Sequence, residues 1–360
     1  MKGRFDVPLF LALVLTLVLG MITLSSAAVT VKGGETLISR QLVWICAGLA
    51  LGTIAFAVNY RVWIEFAPLF YGFAMCLLLL VLVFGSSIHG SRSWLDLGAF
   101  RLQPAEPLKL SVLLMLAWLS KGDKTSHLDF LAIFKSAVVV TIPVLLILLQ
   151  PDFGTASTIL IMGAGGVFLL GMKPRVYVIL FILIAAVGFT SWHYMFKPYQ
   201  KERVLTFFNP ERDPLGRGYH VIQSKVAVGS GQLTGRGYRK GTQSRLKYLP
   251  EPHTDFIFAV YAEEFGFAGV AVALAIFFLI ISRMVNISQV AYDKPGMVIA
   301  FCSAVLLFYQ IAVSTGMIVG LLPTTGIPLP FFSYGGSGTV TYLIMTGLVL
   351  NVFRNRFQRV

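Results

Sequence analysis

The stretch LPEPHTDFIFAV, residues 249–260, is polar and partly charged in its first half and apolar in its second. Glu251, His253, Thr254 and Asp255 stand directly before Phe256, Ile257, Phe258, Ala259 and Val260. A junction of this kind marks a chain entering a bilayer, and the whole composition agrees. The 360 residues are 56% hydrophobic and 12% charged, with mean hydropathy +0.79. Soluble domains carry about a quarter charged residues. Long apolar runs recur along the chain, so most of it is solvated by lipid, as an all-α integral membrane protein.

Crossing a bilayer as helix takes roughly 17–25 mostly apolar residues. Ten stretches qualify: 7–28, 41–59, 67–85, 105–119, 134–150, 154–171, 176–195, 256–281, 297–320 and 332–352. The first also resembles a signal peptide, with Lys2 and Arg4 before it and SSAAV after it. Nine later spans favour a retained helix. With the N-terminus inside, thirteen Lys or Arg fall in cytoplasmic segments and four (Lys32, Arg40, Arg92, Arg101) in the opposite short loops. That imbalance puts both termini in the cytoplasm. Residues 1–360 then form one polytopic membrane domain with a large extracytoplasmic loop, 196–255, between helices seven and eight. Cys46, Cys76 and Cys302 lie inside spans and read as small core residues, without a disulfide or metal pattern.

Polar chemistry collects on the outer face. Loop 196–255 holds eleven Lys or Arg against five Asp or Glu. This basic surface suits an anionic partner at the membrane plane, or anionic headgroups in general, and not nucleic acid. Within it, HVIQSKVAV (220–228) reads as a short amphipathic surface helix, followed by glycines that permit tight turns. Ionisable residues at membrane depth are candidates by default, because burying them is costly. Glu106 and Lys109 stand at i and i+3, one face of a helix that starts between Pro104 and Pro107. Asp152 is either a helix cap or a site residue. Glu263 and Glu264 lie about 12 Å along the helix from Asp255 and must pair or be protonated. Asp255 is either a first-turn acid complementing the helix dipole or a general base for a sugar hydroxyl. The crowding of His253, Thr254 and Glu251 in the same turn favours the base. Finally, GLLPTTGIPLPFFSYGGSGT (320–339) has three prolines before Ser333 and Tyr334 and reads as a re-entrant or tightly turned segment, either buried in protein or lining a cavity.

SRSWLDLGAFRLQPAE, QPDFGTAS, NPERDPLGRGYHVIQSK, LPEPHTDFIFAVYAEEFG and GLLPTTGIPLPFFSYGGSG, in this order, resemble the SEDS family of shape, elongation, division and sporulation proteins. The GYHVIQSK and GTQS strings resemble its RodA-type branch, which serves cell elongation. The resemblance implies a peptidoglycan glycosyltransferase of the bacterial cytoplasmic (inner) membrane. It would polymerise lipid II into β-1,4 glycan on the outer face, maintaining cell shape with a class B penicillin-binding protein and other elongation-complex membrane proteins. It marks Asp255 as the family's catalytic residue and Glu106, Lys109 and Trp94 as functional positions. Asp152, Gln243, His253, Thr254, Ser333 and Tyr334 are the further candidate substrate contacts. Pro107 follows Glu106 where the family carries an apolar residue, and Gln232 stands where GSGG is common.

These readings join in one expected scheme. Arg40, Arg101, Lys109 and Arg203 face the donor's pyrophosphate, since a guanidinium fork matches phosphate. Asp255 takes the proton from the acceptor's 4-hydroxyl as it attacks the anomeric carbon, or instead holds a divalent cation (Mg2+ or Mn2+). An α-linked donor giving a β-linked product, the undecaprenyl-linked glycan, requires one inverting displacement. The rival from another class is a lipid II flippase, which ten helices with intramembrane charges would also suit. A non-catalytic scaffold leaves the carboxylate cluster unexplained.

Overall fold

The computed structural model describes residues 5–31, 33–88, 91–96, 98, 101–121, 130–169, 171, 217–246, 248–249 and 251–357. It is a helical membrane bundle. Its long helices are α1 (Val7–Ala27), α2 (Gly34–Ala57), α4 (Ala67–Phe84), α5 (Ala105–Leu119), α6 (Phe130–Leu149) and α7 (Phe153–Leu169). After them come α10 (Ile257–Gln289), α11 (Lys294–Ile318) and α12 (Gly336–Arg354). Shorter helices are α3 (Tyr60–Glu65), α8 (Arg217–Ser230) and α9 (Thr242–Arg245). Among the described residues seven helices are long and apolar enough to cross a membrane, and α7 is a shorter apolar one. Nine of the ten expected spans coincide with helices, α5 being a fifteen-residue one outside those eight; the seventh, 176–195, lies outside the described residues, as does Arg203.

Burial orders the bundle. α5 is central, with ten of its fifteen residues buried and neighbours α4, α11 and α12. α2 lies against α12 and turns most of its length outward, while α10 packs between α1 and α11. The amphipathic helix expected at 220–228 is α8, which buries Val221, Ser224 and Ala227 against α10 and α11.

Three features differ from the apolar pattern. α2 begins at Gly34, seven residues before its apolar run, with Gly33 left-handed and Glu35 in the dipole-favoured first turn. Loop 86–102 contains a small antiparallel sheet, β1 (Ser86–Ile88), β2 (Ser91–Asp96) and β3 (Arg101–Leu102), too short for periodicity to show. The last span starts at Gly336, not at residue 332, because Phe331 (φ 66°) and Phe332 belong to the folded-back segment before it. There Phe332 packs edge-on against Phe258 and Tyr261 of α10.

Interrupted helices need partners for their freed backbone groups. α10 breaks at Gly266 (φ 65°, ψ −166°), and loop 231–241 supplies the missing bonds. Arg236 N and Gly237 N donate to the carbonyls of Glu263 (3.0 Å) and Glu264 (2.9 Å). In return Phe267 N and Ala268 N donate to the carbonyls of Gln232 (2.8 Å) and Leu233 (3.0 Å). At the other end of the bundle Asn351 donates to the carbonyls of Ala55, Phe56 and Val58 (3.1, 2.6 and 2.6 Å) and accepts from Tyr60 N (3.0 Å). One amide thus closes α2 and opens α3. The same end carries ion pairs Arg61–Asp293 (3.2 Å), Arg283–Asp6 (2.5 Å) and Lys121–Glu65.

The backbone of Gly266 lies where only glycine is unstrained, and a Cβ there would stand 2.3 Å from Gly235 N. Gly266→Ala is expected to cost more than about 1–3 kcal/mol of stability, the strain alone. Its signature is a lower thermal midpoint together with faster hydrogen exchange at the amides of 236 and 237.

Candidate active site

At one end of the bundle, the turns before α5, α7, α10 and α12 meet. Pro104 precedes α5 and Pro107 lies in its first turn, where no intrahelical N–H bond is required. Glu106 therefore stays helical despite the proline, with Lys109 one turn further in. Lys109 Nζ donates to Glu106 Oε1 at 2.6 Å and to the Tyr342 hydroxyl at 2.9 Å. All three side chains are buried. Gln310 of α11 also hydrogen-bonds the Tyr342 hydroxyl, so one polar cluster joins α5, α11 and α12. Among the described residues Glu106 Oε2 has no hydrogen-bond partner.

Asp152 is the cap of α7: its Oδ1 accepts from Thr155 N (3.0 Å) and its Oδ2 from the Thr155 hydroxyl (2.9 Å). Gln103 Nε2 reaches the same Oδ2 at 3.4 Å, tying this cap to the start of α5. At Gly154 the first turn of α7 abuts the Thr325 carbonyl; a Cβ would lie 2.7 Å from it.

Asp255 closes the turn before α10. The folded-back segment 323–335 covers it so closely that a methyl group at Gly326 would stand 3.6 Å from Asp255 Oδ2. Ser333 fixes this cover, donating to the Thr254 carbonyl (2.7 Å) and accepting from Leu329 N (2.9 Å). Tyr334 N donates to the His253 carbonyl at 2.9 Å, and the two rings lie 6.0 Å apart. His253, Thr254, Ser333 and Tyr334 thus meet around Asp255. Burial pushes the His253 imidazole below its ordinary value, while Glu251, 3.6 Å from Nε2, pulls it the other way. A depression of about 240 Å³ beside them is lined by Thr30, Val31, Leu249, Glu251, Pro252 and His253.

The remaining candidates sit further out. Trp94 is half-buried on β2, opposite Ser86. Arg101 on β3 is exposed and faces Asp96 at 3.5 Å, and Arg40 is exposed on α2. Gln243 belongs to a separate group, since its backbone N–H donates to Glu263 Oε1 (2.9 Å). Glu263 also accepts from the Thr242 hydroxyl (3.2 Å). Glu264 accepts from the Ser26 hydroxyl and from Arg239 N (3.1 Å). Both acids, whose role the sequence left open, hold the glycine-rich loop onto the break in α10. Sequence reading overlooked Tyr342, Gln310 and Gln41. Gln41 links α2 to the start of α12 through Thr339 Oγ1 (3.1 Å) and Gly335 N (3.2 Å). The signal for all three was a polar side chain inside an apolar span, the same one that marked Glu106.

Comparison with known proteins matches the chain as a whole to one family. Residues 7–358 match the FtsW/RodA/SpoVE model, described as cell cycle protein. The chain is 37% identical over 352 residues to the peptidoglycan glycosyltransferase MrdB of Escherichia coli K12, covering 95% of this chain and 93% of MrdB. It is 37% identical over 365 residues to a probable peptidoglycan glycosyltransferase FtsW of Thioalkalivibrio, covering 98% and 90%. Among solved structures, one chain comes from work on the structural coordination of polymerization and crosslinking by a peptidoglycan synthase complex. It superposes with TM-score 0.85 at 33% identity over 99% of both chains. The crystal structure of the rod shape determining protein RodA of Thermus thermophilus superposes with TM-score 0.74 at 30% identity, over 99% of this chain and 98% of RodA. The chain therefore belongs to the SEDS family of multi-pass membrane proteins, the FtsW, RodA and SpoVE proteins.

Proposed function

We propose that this SEDS peptidoglycan glycosyltransferase polymerises lipid II at the outer face of the bacterial cytoplasmic membrane during cell elongation. The observation that carries the reading is Asp255, a carboxylate at the mouth of the bundle beneath a cover formed by 323–335. The thirteen Lys or Arg in the opposite segments, against four in the short loops on its own side, support its outward orientation. The GYHVIQSK and GTQS strings support the elongation role. The relative from a peptidoglycan synthase complex supports a class B penicillin-binding protein as partner.

In this reading the acceptor's 4-hydroxyl approaches Asp255, which removes its proton as the oxygen bonds to the donor's anomeric carbon. The bond to undecaprenyl pyrophosphate breaks with inversion, α to β. Arg40 and Arg101 are the exposed cations for the leaving pyrophosphate. Lys109, turned toward Glu106 and Tyr342, acts as an internal counter-ion. Among the described residues no three His, Cys, Asp or Glu converge as a metal cage. A magnesium-type ion usually rests on one or two carboxylates plus substrate phosphates, and Asp255 would be the carboxylate to hold it. Its chemistry there would be neutralisation of pyrophosphate charge.

Purified protein with its cognate penicillin-binding protein should convert lipid II to muramidase-sensitive glycan. Asp255→Asn should lower the rate by about 10²–10⁴-fold with the thermal midpoint kept. Unchanged rates would make the HTDF turn a structural corner, and a folded wild type without product would favour the flippase. His253 gives a pH test. Its folded pKa lies below the ordinary 6.5, so its contribution to stability is present above that value. It is lost as acid charges the unfolded imidazole first. The midpoint should therefore fall below about pH 6.5, and His253→Gln should flatten that fall. Removing one partner of the buried ion pair, as in Lys109→Met, should cost about 3–5 kcal/mol of stability, measured by chemical denaturation.

A further inference from the structure

The end of the bundle remote from Asp255 holds more cations than its acids can engage. The charge asymmetry assigns this end to the cytoplasm, where thirteen Lys or Arg face five acids, Asp6, Glu65, Asp123, Asp129 and Asp293. Three of those acids are described, and each already holds a cation: Asp6 holds Arg283, Glu65 holds Lys121 and Asp293 holds Arg61. Arg354, in the last turn of α12, forms no ion pair among the described residues. Its guanidinium lies instead over the Phe56 ring of α2, 5.3 Å from the centroid. Phe5 meets Phe56 edge-on at 5.6 Å and Phe10 at 5.4 Å, so three rings join the start of α1 to the end of α2. Arg356 follows two residues after Arg354, its guanidinium 3.5 Å from the centroid of the Phe353 ring and 4.5 Å from that of Phe357. Phe357 is exposed, as are Val7 and Leu11 on α1 and Ile54 on α2. A cation in a last turn complements the helix dipole. That accounts for Arg354, but not for the rings beneath it or for a second guanidinium beyond the helix end.

We infer that Arg354 and Arg356 form a headgroup site for an anionic phospholipid of the inner leaflet. A guanidinium fork matches a phosphate diester bidentately. The rings stand where α1 begins and α2 ends, the depth at which lipid phosphates give way to acyl chains. Val7, Leu11 and Ile54, just inside that level, offer an apolar surface to those chains. A soluble anion would match the guanidinium groups and leave this surface unused. Beside the same ring, Asn351 of α12 caps α2 by donating to the Phe56 carbonyl at 2.6 Å. A lipid held by Arg354 over Phe56 therefore braces the seam between α2 and α12. The site is independent of the chemistry at the Asp255 end.

The whole protein in detergent, mixed with phosphatidylglycerol, phosphatidylcholine of the same chains or inorganic phosphate, gives the test. Phosphatidylglycerol should raise the thermal midpoint, as a ligand of the folded state does, and remain bound in native mass spectrometry. Phosphatidylcholine and phosphate should do neither. Arg354→Gln/Arg356→Gln should bind phosphatidylglycerol at least about tenfold more weakly and lose the rise in midpoint. Lys135→Gln, which removes another exposed cation on α6, should change nothing. An equal response to phosphatidylcholine, a rise with phosphate alone, or unchanged binding in the double variant would each overturn the inference. So would an equal loss in Lys135→Gln, the mark of diffuse charge in place of a site. Should the double variant not fold, Arg354→Gln and Arg356→Gln made singly decide by the same criterion.

Discussion

Within lipid no water is present to pair a free N–H or C=O, so every interruption of a helix must be answered by another part of the protein. An unbroken helix meets this demand alone. This chain breaks its helices repeatedly, and each break recruits a distant segment. The α10 break takes its bonds from loop 231–241, the end of α2 takes them from Asn351, and the fold before α12 takes them from Ser333 and Gln41. Most of these repairs cluster at the end that holds Asp255. The irregular backbone that they permit is what encloses the carboxylate.

The two ends of the bundle differ in how fully their polar groups are used. One end is closed by Arg61–Asp293, Arg283–Asp6 and Lys121–Glu65 and by the four bonds of Asn351. Among the described residues, Trp63 Nε1 is buried without a partner at that end, and Glu106 Oε2, His253 Nδ1, Gln243 Oε1, Glu264 Oε2 and Thr325 Oγ1 at the other. Unsatisfied groups are costly in a low-dielectric interior. More of them lie at the Asp255 end than at the other.

The spans were legible because length and apolarity report directly on the bilayer. Their limits were less so wherever an apolar residue does something other than face lipid. Phe332 reads as the start of a span, yet it is buried in the folded-back segment, against Phe258 and Tyr261. Glu106, Lys109 and Asp255 stood out as charges at membrane depth, and the structure brings them to the bundle's interior and mouth. Glu263 and Glu264 stood out for the same reason, but their partners, Ser26, Arg239, Thr242 and Gln243, lie as much as 238 residues away. Local spacing carries no trace of such contacts. Tyr342 was hidden among apolar neighbours because a phenol weighs little in any measure of hydropathy.

The order in which the chain is made gives the two kinds of repair different histories. Loop 231–241 is synthesised before residues 263–268, so its backbone is already waiting when the break in α10 emerges, and that clasp can close at once. The carbonyls at the end of α2 have no such provision. Their cap, Asn351, lies 296 residues beyond Ala55. Until α12 is inserted, an early span must keep an open end in contact with water or with the insertion machinery. A helix made late therefore seals one made early, and the end of α2 stays uncapped until α12 arrives.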